Sequence, residues 1–325
     1  MNTPIVPRQP SHVLVTGGAG FIGSHLVERL LRDGKAVVVI DDLSTGSLEN
    51  LGAVKADPRL RIIESRICDC AELPELAAKA EFIFHLAATV GVDLVVKSAL
   101  HVLEASFHET QILLRAAAAQ ATPLLLTSTS EVYGKSAKPA FSEDDDLLIG
   151  PPGQSRWSYA CSKLTDEFLA LAYARERNLP VTIARLFNTV GPRQTGRYGM
   201  VLPRFITAAD RWEPLQVFGD GQQTRCFGFV HDVVEAMVRL QKCPQARGEI
   251  FNIGGTEEVT ILELARLVVA TLASKSRIDL IPYDQAYAPG FDDMRRRKPL
   301  VEKLERFVQF KPQTSLREII RLTAG

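Results

Sequence analysis

The feature that most constrains this chain is a glycine-rich turn at residues 17–23, Gly-Gly-Ala-Gly-Phe-Ile-Gly, between an apolar run and an amphipathic stretch. Gly17 permits a tight turn, Gly20 lets backbone approach a pyrophosphate, and Gly23 lets the next helix pack close to the strand. The positive end of that helix then points at the phosphates. A plain turn of an α/β fold is the alternative. Asp41 follows Gly23 by 18 residues, where an acid can accept hydrogen bonds from an adenosine ribose. The sequence therefore predicts a dinucleotide site, and NAD rather than NADP, because an acid repels a 2′-phosphate.

The charge balance limits the classes of partner. Lys plus Arg and Asp plus Glu both count 38 in 325 residues, so we expect neither nucleic acid nor membrane as a partner. Five cysteines, an odd number without metal-ligand spacing, indicate reduced thiols and no metal site. Residues 1–10 lack the apolar core of a signal peptide, and no apolar run could span a bilayer. We therefore expect a cytoplasmic protein.

The first half of the chain alternates β-branched runs with helical stretches, which is typical of a parallel sheet with crossover helices. The sequence thus predicts an α/β fold, a Rossmann-type doubly wound parallel sheet with a smaller C-terminal substrate-binding lobe. Predicted strands are 12–16, 36–40, 61–64, 82–86, 123–128 and 180–186, and predicted helices are 20–33, 98–120 and 156–177. After about residue 187, Gly, Pro and Arg become frequent. The predicted domains are 11–187, rejoined by 227–255, for the dinucleotide, and 188–226 plus 256–325 for the substrate.

Tyr159 and Lys163 lie four residues apart, on one face of a predicted helix. A phenol with a pKa of about 10 is a poor base at neutral pH. A neighbouring ammonium, together with a positively charged nicotinamide, would lower that pKa. In isolation such a pair is better explained by packing, but behind a dinucleotide turn it indicates acid–base chemistry.

A predicted strand runs into residues 128–134, Ser-Thr-Ser-Glu-Val-Tyr-Gly. Hydroxyls at the carboxyl end of a strand can bond a substrate hydroxyl or carbonyl, or can merely cap the strand. Glu131 is more informative, because a carboxylate at the mouth of a cleft is costly unless it moves protons or orders water. The basic cluster at 295–298 is interpreted either as a solvated loop or as an anion-binding site.

Together these motifs resemble the extended short-chain dehydrogenase/reductases, which are NAD-dependent epimerases, dehydratases and decarboxylases of nucleotide sugars. The resemblance rests on residues 17–23, His85-Leu86-Ala87-Ala88, residues 128–134, Tyr159 with Lys163, and Arg185-Leu186-Phe187-Asn188 before Gly191-Pro192-Arg193. It covers nearly the whole chain. It implies NAD as cofactor, a UDP-linked nucleotide sugar as substrate, and a homodimer formed through helices 98–120 and 156–177.

The resemblance also implies three sets of site residues. The catalytic set is Thr129, Glu131, Tyr159, Lys163 and Arg225. The cofactor set is Gly17, Gly20, Phe21, Ile22, Gly23, Asp41, Asp42, Ser44, Thr45, Gly46, Ile67, Leu86, Ala87, Ala88, Tyr159 and Lys163. The substrate set is Ser130, Arg156, Asn188, Arg193, Gln216, Phe218, Arg225 and Arg297.

Within that family, residues 128–134 with Arg156 are similar to the UDP-glucuronate decarboxylases, whereas 4-epimerases usually lack the glutamate. Oxidation of C4 makes the C6 carboxylate β to a ketone, so the predicted reaction is decarboxylation of UDP-glucuronate to UDP-xylose. Thr129 and Tyr159 would hold the enolate oxygen. Glu131 and Arg225 would manage the proton returned to C5. The alternatives are a UDP-glucose or UDP-glucuronate 4-epimerase, a nucleotide-sugar 4,6-dehydratase, and a non-catalytic NAD-binding protein.

The chain departs from the family pattern at three places. The acid that usually follows the third strand, for the adenine amino group, is Arg66. An asparagine expected in the long helix is Ser106, and the usual Arg-Lys-Pro-Asp near the C-terminus is Arg297-Lys298-Pro299-Leu300. The first departure predicts an altered adenine contact, and the others indicate a divergent branch.

Overall fold

The structure, a computed structural model, describes residues 11–88, 99–195, 200–282, 294 and 296–325. The prediction for residues 1–10 lies outside the described residues, as do position 98 of the long helix and Arg295 of the basic cluster.

The strands fall where apolar, β-branched runs predict them. They are β1 His12–Thr16, β2 Val37–Asp41, β3 Leu60–Glu64, β4 Ala80–His85, β5 Leu124–Thr129, β6 Val181–Leu186, β7 Thr189–Val190, β8 Leu215–Phe218, β9 Thr224–Cys226, β10 Gly228–Phe229, β11 Ile250–Ile253, β12 Glu258–Thr260 and β13 Ile278–Ile281. Seven of them form a parallel sheet in the order β11-β6-β5-β4-β1-β2-β3. The doubly wound fold is therefore confirmed, and each of the six predicted strands is present within two residues.

The helices pack on both faces of this sheet and around a second core. They are α1 Phe21–Arg32, α2 Leu73–Lys79, α3 Ala99–Ala118, α4 Trp157–Arg177, α5 Val201–Asp210, α6 Val230–Gln241, α7 Ile261–Thr271, α8 Glu302–Val308 and α9 Leu316–Ala324. The three predicted helices correspond to α1, α3 and α4. Within the described residues, no helix combines the length and apolarity that crossing a bilayer requires.

Alternation along β1 shows how the sheet is buried on both sides. Val13 and Val15 pack on the side of α1 and α6, with Leu26 and Met237 in the same cluster. Leu14 points to the opposite side, into the cluster that includes residues of α2, α3 and α4. A parallel strand covered on both faces needs apolar residues at successive positions, which is why its sequence is an uninterrupted apolar run.

The order of the strands reverses between β1 and β4. In such sheets a ligand binds outside the carboxyl ends of the strands, at the point where the order reverses. Thr16 ends β1 there and leads into the glycine turn, His85 ends β4, and Thr129 ends β5. The sheet therefore brings the predicted cofactor and catalytic motifs to one edge.

A second core lies beyond the sheet. Strand β8 pairs with β13, and β9 pairs antiparallel with β12. Helices α5, α7 and α9 pack together around buried apolar side chains such as Phe205, Leu264 and Ile319. The chain crosses between the two cores more than once, because β11 pairs with β6 in the main sheet and α8 buries Leu304 in the sheet's own cluster.

Candidate active site

The glycine turn joins β1 to α1, and it needs glycine for distinct reasons. Gly17 has a φ of +72°, and its N–H donates to Ile40 O at 2.9 Å. A Cβ on Gly23 would lie 2.1 Å from Gly17 O, so α1 packs this closely only without a side chain there. Among the described residues, the nearest atom to a Cβ on Gly20 would be Gly17 O at 3.2 Å. Gly20 is the N-cap of α1 and carries no capping side chain, so the turn fits the phosphates of a dinucleotide.

Asp41, the predicted ribose acid, also shapes the turn. Its Oδ2 accepts the N–H of Ala19 at 2.8 Å, and its Oδ1 accepts the N–H of Leu43 at 2.9 Å. Burial raises the pKa of Asp41, and these two backbone hydrogen bonds oppose the rise. Asp42 is exposed and accepts from Ser44. A Cβ on Gly46 would lie 3.0 Å from Asp41 Oδ1, so residues 42–46 lie beside the turn.

The departure at Arg66 creates an ion pair at the end of β3. Arg66 Nε donates to Glu109 Oε1 of α3 at 3.2 Å. Burial raises the pKa of Glu109, while Arg66 lowers it. Ile67, a predicted cofactor residue, follows Arg66 and is buried. Glu109 of α3 therefore lies beside Arg66, the position at which the family usually has an acid.

Tyr159 lies in the first turn of α4, against the end of β5. Burial raises the pKa of Tyr159, and so does the charge of Glu131. The nearby Thr129 hydroxyl lowers the pKa of Tyr159, and the charge of Arg297 acts in the same direction. Thr129 also accepts the N–H of Glu131 at 3.3 Å, which fixes its hydroxyl oxygen at the start of the next turn.

Lys163 shares a helix face with Tyr159, as predicted, but its ammonium contacts another residue. Its Nζ lies 3.5 Å from Asp166 Oδ2, and both side chains are buried. Burial dominates the electrostatics of Tyr159 in this structure and raises its pKa, and Arg297 is a cation that opposes the rise. The lowering of this pKa by Lys163 together with a bound nicotinamide stays a prediction.

Glu131 is held between two arginines from distant parts of the chain. Its Oε2 accepts from Arg156 Nη1 at 3.1 Å, and its Oε1 accepts from Arg297 Nη1 at 3.3 Å. The three side chains are 13%, 6% and 12% exposed, respectively. Because Glu131 and Arg297 both act on the pKa of Tyr159, this charged cluster adjoins the phenol.

The remaining substrate residues are spread over several elements. Ser130 is buried behind Thr129. Asn188 Nδ2 donates to Cys226 O at 2.8 Å, and Arg225 Nη1 donates to Thr224 O at 2.8 Å. Gln216 and Phe218 lie in β8. Arg193 contacts Ser24 and Glu28 of α1, so in this structure its guanidinium is tied to the helix behind the glycine turn.

Sequence reasoning missed the buried polar groups beneath the site. Glu167 binds Arg185 and accepts from Ser128, which fixes the strand end before Thr129. Asp166 was recognisable as an acid three residues after Lys163, since such pairs face each other on a helix. Within the described chain, no group of His, Cys, Asp and Glu side chains is arranged to hold a metal ion.

Comparison with known proteins gives a consistent set of relatives. The profile of the NAD dependent epimerase/dehydratase family matches residues 13–254. The chain is 41% identical over 311 residues to a UDP-N-acetyl-alpha-D-glucosaminuronate decarboxylase of Bacillus cytotoxicus, covering 95% of each protein. It is 36% identical to UDP-glucuronic acid decarboxylase 2 of Arabidopsis thaliana, covering 96% of this chain and 67% of that protein. Among solved structures, the UDP-glucuronic acid 4-epimerase from Bacillus cereus in complex with UDP-glucuronic acid and NAD matches with a TM-score of 0.85 and 29% identity, over 96% of this chain and 97% of that one.

Proposed function

This chain belongs to the NAD dependent epimerase/dehydratase family, and from that premise we propose that it decarboxylates a UDP-linked hexuronate with NAD as cofactor. The residues proposed to hold NAD are those of the glycine turn, the segment after β2, Ile67, the segment after β4, Tyr159 and Lys163. The open side of the turn at Gly20 supports this assignment.

The observation that carries the proposal is the charged cluster of Glu131, Arg156 and Arg297 beside Tyr159. Charges that are this shielded from solvent cost desolvation free energy, which a site for a neutral sugar has no reason to incur. In a hexuronate, the C6 carboxylate is two bonds from C4. A group that acts at the C4 oxygen, as proposed for Tyr159, therefore lies close to the C6 carboxylate of the sugar. Arg156 and Arg297 provide cations for that carboxylate.

The side chains have separate tasks in this proposal. Bound NAD would supply the acceptor for the hydride of C4 and the donor of the hydride that returns to it. Tyr159 takes the proton of the C4 hydroxyl, and Thr129 donates a hydrogen bond to the same oxygen. With a ketone at C4, the C5–C6 bond breaks, carbon dioxide leaves, and the electron pair moves to the C4 oxygen as an enolate. Glu131 and Arg225 guide a solvent proton to C5, which restores the C4 ketone. Tyr159 returns its proton to the C4 oxygen when C4 is reduced.

Two hexuronates are candidates for the sugar. UDP-glucuronate would give UDP-xylose, and it is supported by the decarboxylases of Arabidopsis thaliana. The 2-acetamido analogue is supported by the 41% identical relative from Bacillus cytotoxicus, whose name specifies that sugar. Both carry the same carboxylate at C6, so the cluster at Glu131 serves either.

The first test is a proton NMR time course with each UDP-hexuronate and NAD. With one of the two sugars, we expect the H5 signal of the hexuronate to disappear. The signals of the UDP-pentose, or of its 4-keto form, should appear in its place. Appearance of the C4 epimer with the carboxylate intact would instead establish the 4-epimerase alternative. The similarity to the 4-epimerase from Bacillus cereus supports that alternative.

A variant at Glu131 separates decarboxylation from protonation at C5. In Glu131→Gln, Tyr159 and Thr129 keep their hydroxyls, so we expect reduction of NAD by the sugar and release of carbon dioxide, followed by slow formation of the UDP-pentose. The matched control is Glu49→Gln, which changes an exposed glutamate outside the cluster. Formation of the UDP-pentose by Glu131→Gln at the wild-type rate would remove this residue from the proposed mechanism.

Three further assignments belong to the same proposal. The sheet domain comprises 11–187 and 227–255, and the substrate lobe comprises 188–226 and 256–325, with α8 returning to the sheet. A cytoplasmic location is supported by five free thiols. A homodimer through α3 and α4 is supported by the apolar side chains that these helices expose.

A further inference from the structure

A buried carboxylate that the proposed reaction does not use lies directly behind Lys163. Asp166 is 0% exposed and lies one turn further along α4. Its Oδ2 is 3.5 Å from Lys163 Nζ and accepts from Ser106 Oγ at 3.2 Å. An ammonium that is itself buried needs a counter-charge, and Asp166 supplies it.

A hydrogen-bonded chain runs from the strand before the glycine turn to Thr110 of α3, near Asp166. Thr16 Oγ1 lies 2.7 Å from His85 Nδ1, and His85 Nε2 lies 3.1 Å from Thr110 Oγ1. Burial, with a smaller effect of the Lys163 charge, lowers the pKa of His85 to about 3, so the ring is neutral and has one donor and one acceptor.

The Asp166 carboxylate is held through one of its two oxygens. Oδ2 accepts from Ser106 and lies beside Lys163, whereas Oδ1 is buried without a hydrogen-bond partner among the described residues. Burial raises the pKa of Asp166, while Lys163 and the nearby hydroxyls of Ser106 and Thr110 lower it.

We propose that Asp166 is the positioning residue for Lys163, fixing the ammonium through their contact on α4 while Ser106 fixes the carboxylate. This inference rests on the proposed function in one respect, because it takes Lys163 as a residue that binds NAD. It also gives a role to Ser106, at the position where the family pattern has asparagine, as the donor to the carboxylate.

The test is a double-variant cycle on NAD affinity, measured by calorimetric titration without any sugar. Asp166→Asn keeps the shape and removes the charge, and we expect roughly tenfold weaker binding. In a Lys163→Met background the same change should alter affinity by less than about twofold, because the residue through which it acts is gone. An equal loss in both backgrounds, or no loss in either, would overturn the proposal.

A control separates this effect from the loss of any buried acid. Glu143→Gln removes a carboxylate that is also buried, whose Oε1 accepts from Asn252 N and which has no contact with Lys163. We expect its NAD affinity to stay at the wild-type value. If Asp166→Asn does not fold, Ser106→Ala replaces it, with a loss of roughly threefold that disappears in the Lys163→Met background. An unchanged affinity in Ser106→Ala would then count against the proposal.

Turnover distinguishes this inference from the proposed function. If the wild-type protein converts neither hexuronate, the function fails, but the titrations still decide the role of Asp166. If the wild type is active, Asp166→Asn should lower kcat while KM for the sugar stays within about twofold. Wild-type kcat and NAD affinity in Asp166→Asn would refute the positioning role and leave the function standing.

Discussion

At the scale of single residues, Tyr159 is the group on which the proposed chemistry depends. Burial and the charge of Glu131 raise its pKa, and Thr129 and Arg297 lower it. Removing the hydroxyl leaves no group to take the C4 proton, so Tyr159→Phe should lower kcat by roughly 10²- to 10⁴-fold. The measurement is the initial rate of the NMR time course, at saturating NAD and UDP-hexuronate.

The control for Tyr159→Phe is Tyr173→Phe, which removes a hydroxyl from the same helix where its ring packs against the core behind the sheet. That variant should keep the wild-type kcat. If Tyr159→Phe retained more than a tenth of the wild-type rate, another base would have to act at C4, and the catalytic assignment would be wrong.

A second residue-scale prediction concerns stability and pH. The pKa of His85 falls from 6.5 to about 3 on folding, chiefly through burial. Below pH 6.5 the unfolded chain binds a proton that the folded chain does not, so this stability is present above pH 6.5 and is lost as the pH falls toward about 3. The loss is at most about 1.4 kcal/mol per pH unit.

The measurement is Tm between pH 7.5 and 5.0 for wild type, His85→Gln and His108→Gln. His85→Gln should show a shallower decline, because it lacks the titrating ring. His108 is exposed on α3, so its replacement should leave the slope unchanged. An identical slope in all three proteins would mean that His85 does not contribute to acid destabilisation.

Local patterns were sufficient for some residues of the site but not for others. The glycine turn and the Tyr159–Lys163 spacing are visible in the sequence because each lies within a few residues. The position of Arg297 at Glu131 joins residues far apart in the chain, so only the folded structure reveals it. The pairing of Lys163 with Asp166 was visible in principle, but the sequence alone does not say which neighbour a lysine chooses.

At the scale of elements, six of the seven strands of the main sheet were predicted, whereas β11 and the strands of the second core were not. Strands β1 and β4 are buried on both faces, and burial demands the apolar runs that identify them. Strands β9 and β12 have three residues each and pair across a long stretch of chain. Helix α2 has only seven residues, too few for a clear period of 3.6.

The turn that joins β1 to α1 gives the element-scale prediction. Gly20→Ala adds a methyl group on the open side of the turn, where its only near contact is Gly17 O at 3.2 Å. The fold should survive, while NAD affinity should fall by roughly tenfold or more, about 1.4 kcal/mol. Calorimetric titration measures the affinity, and thermal unfolding measures the stability.

Two other glycines provide comparison variants for Gly20→Ala. Gly23→Ala would force a Cβ to within 2.1 Å of Gly17 O, so stability should fall by roughly 1–3 kcal/mol along with affinity. Gly153 has open space around it, and Gly153→Ala should change neither quantity. Normal NAD affinity in Gly20→Ala would show that the backbone of this turn does not approach the cofactor.

At the scale of the whole molecule, helices α3 and α4 pack against each other and still expose large apolar side chains. Leu100 is 68% exposed and Phe168 is 64% exposed. Exposed apolar side chains on two helices that pack together are consistent with the proposed dimer surface. A second copy of the chain, presenting the same two helices, would bury both residues in an isologous interface.

Sedimentation equilibrium at micromolar concentration should therefore give twice the chain mass of 35.8 kDa. Phe168→Glu places a charge at the centre of the proposed interface and should give a single-chain mass. The matched control is Trp212→Glu, because Trp212 is equally exposed, at 65%, but follows α5 in the second core. That control should remain a dimer. A wild-type mass of one chain, or a dimeric Phe168→Glu, would contradict the interface and require another explanation for the exposed apolar face of α3 and α4.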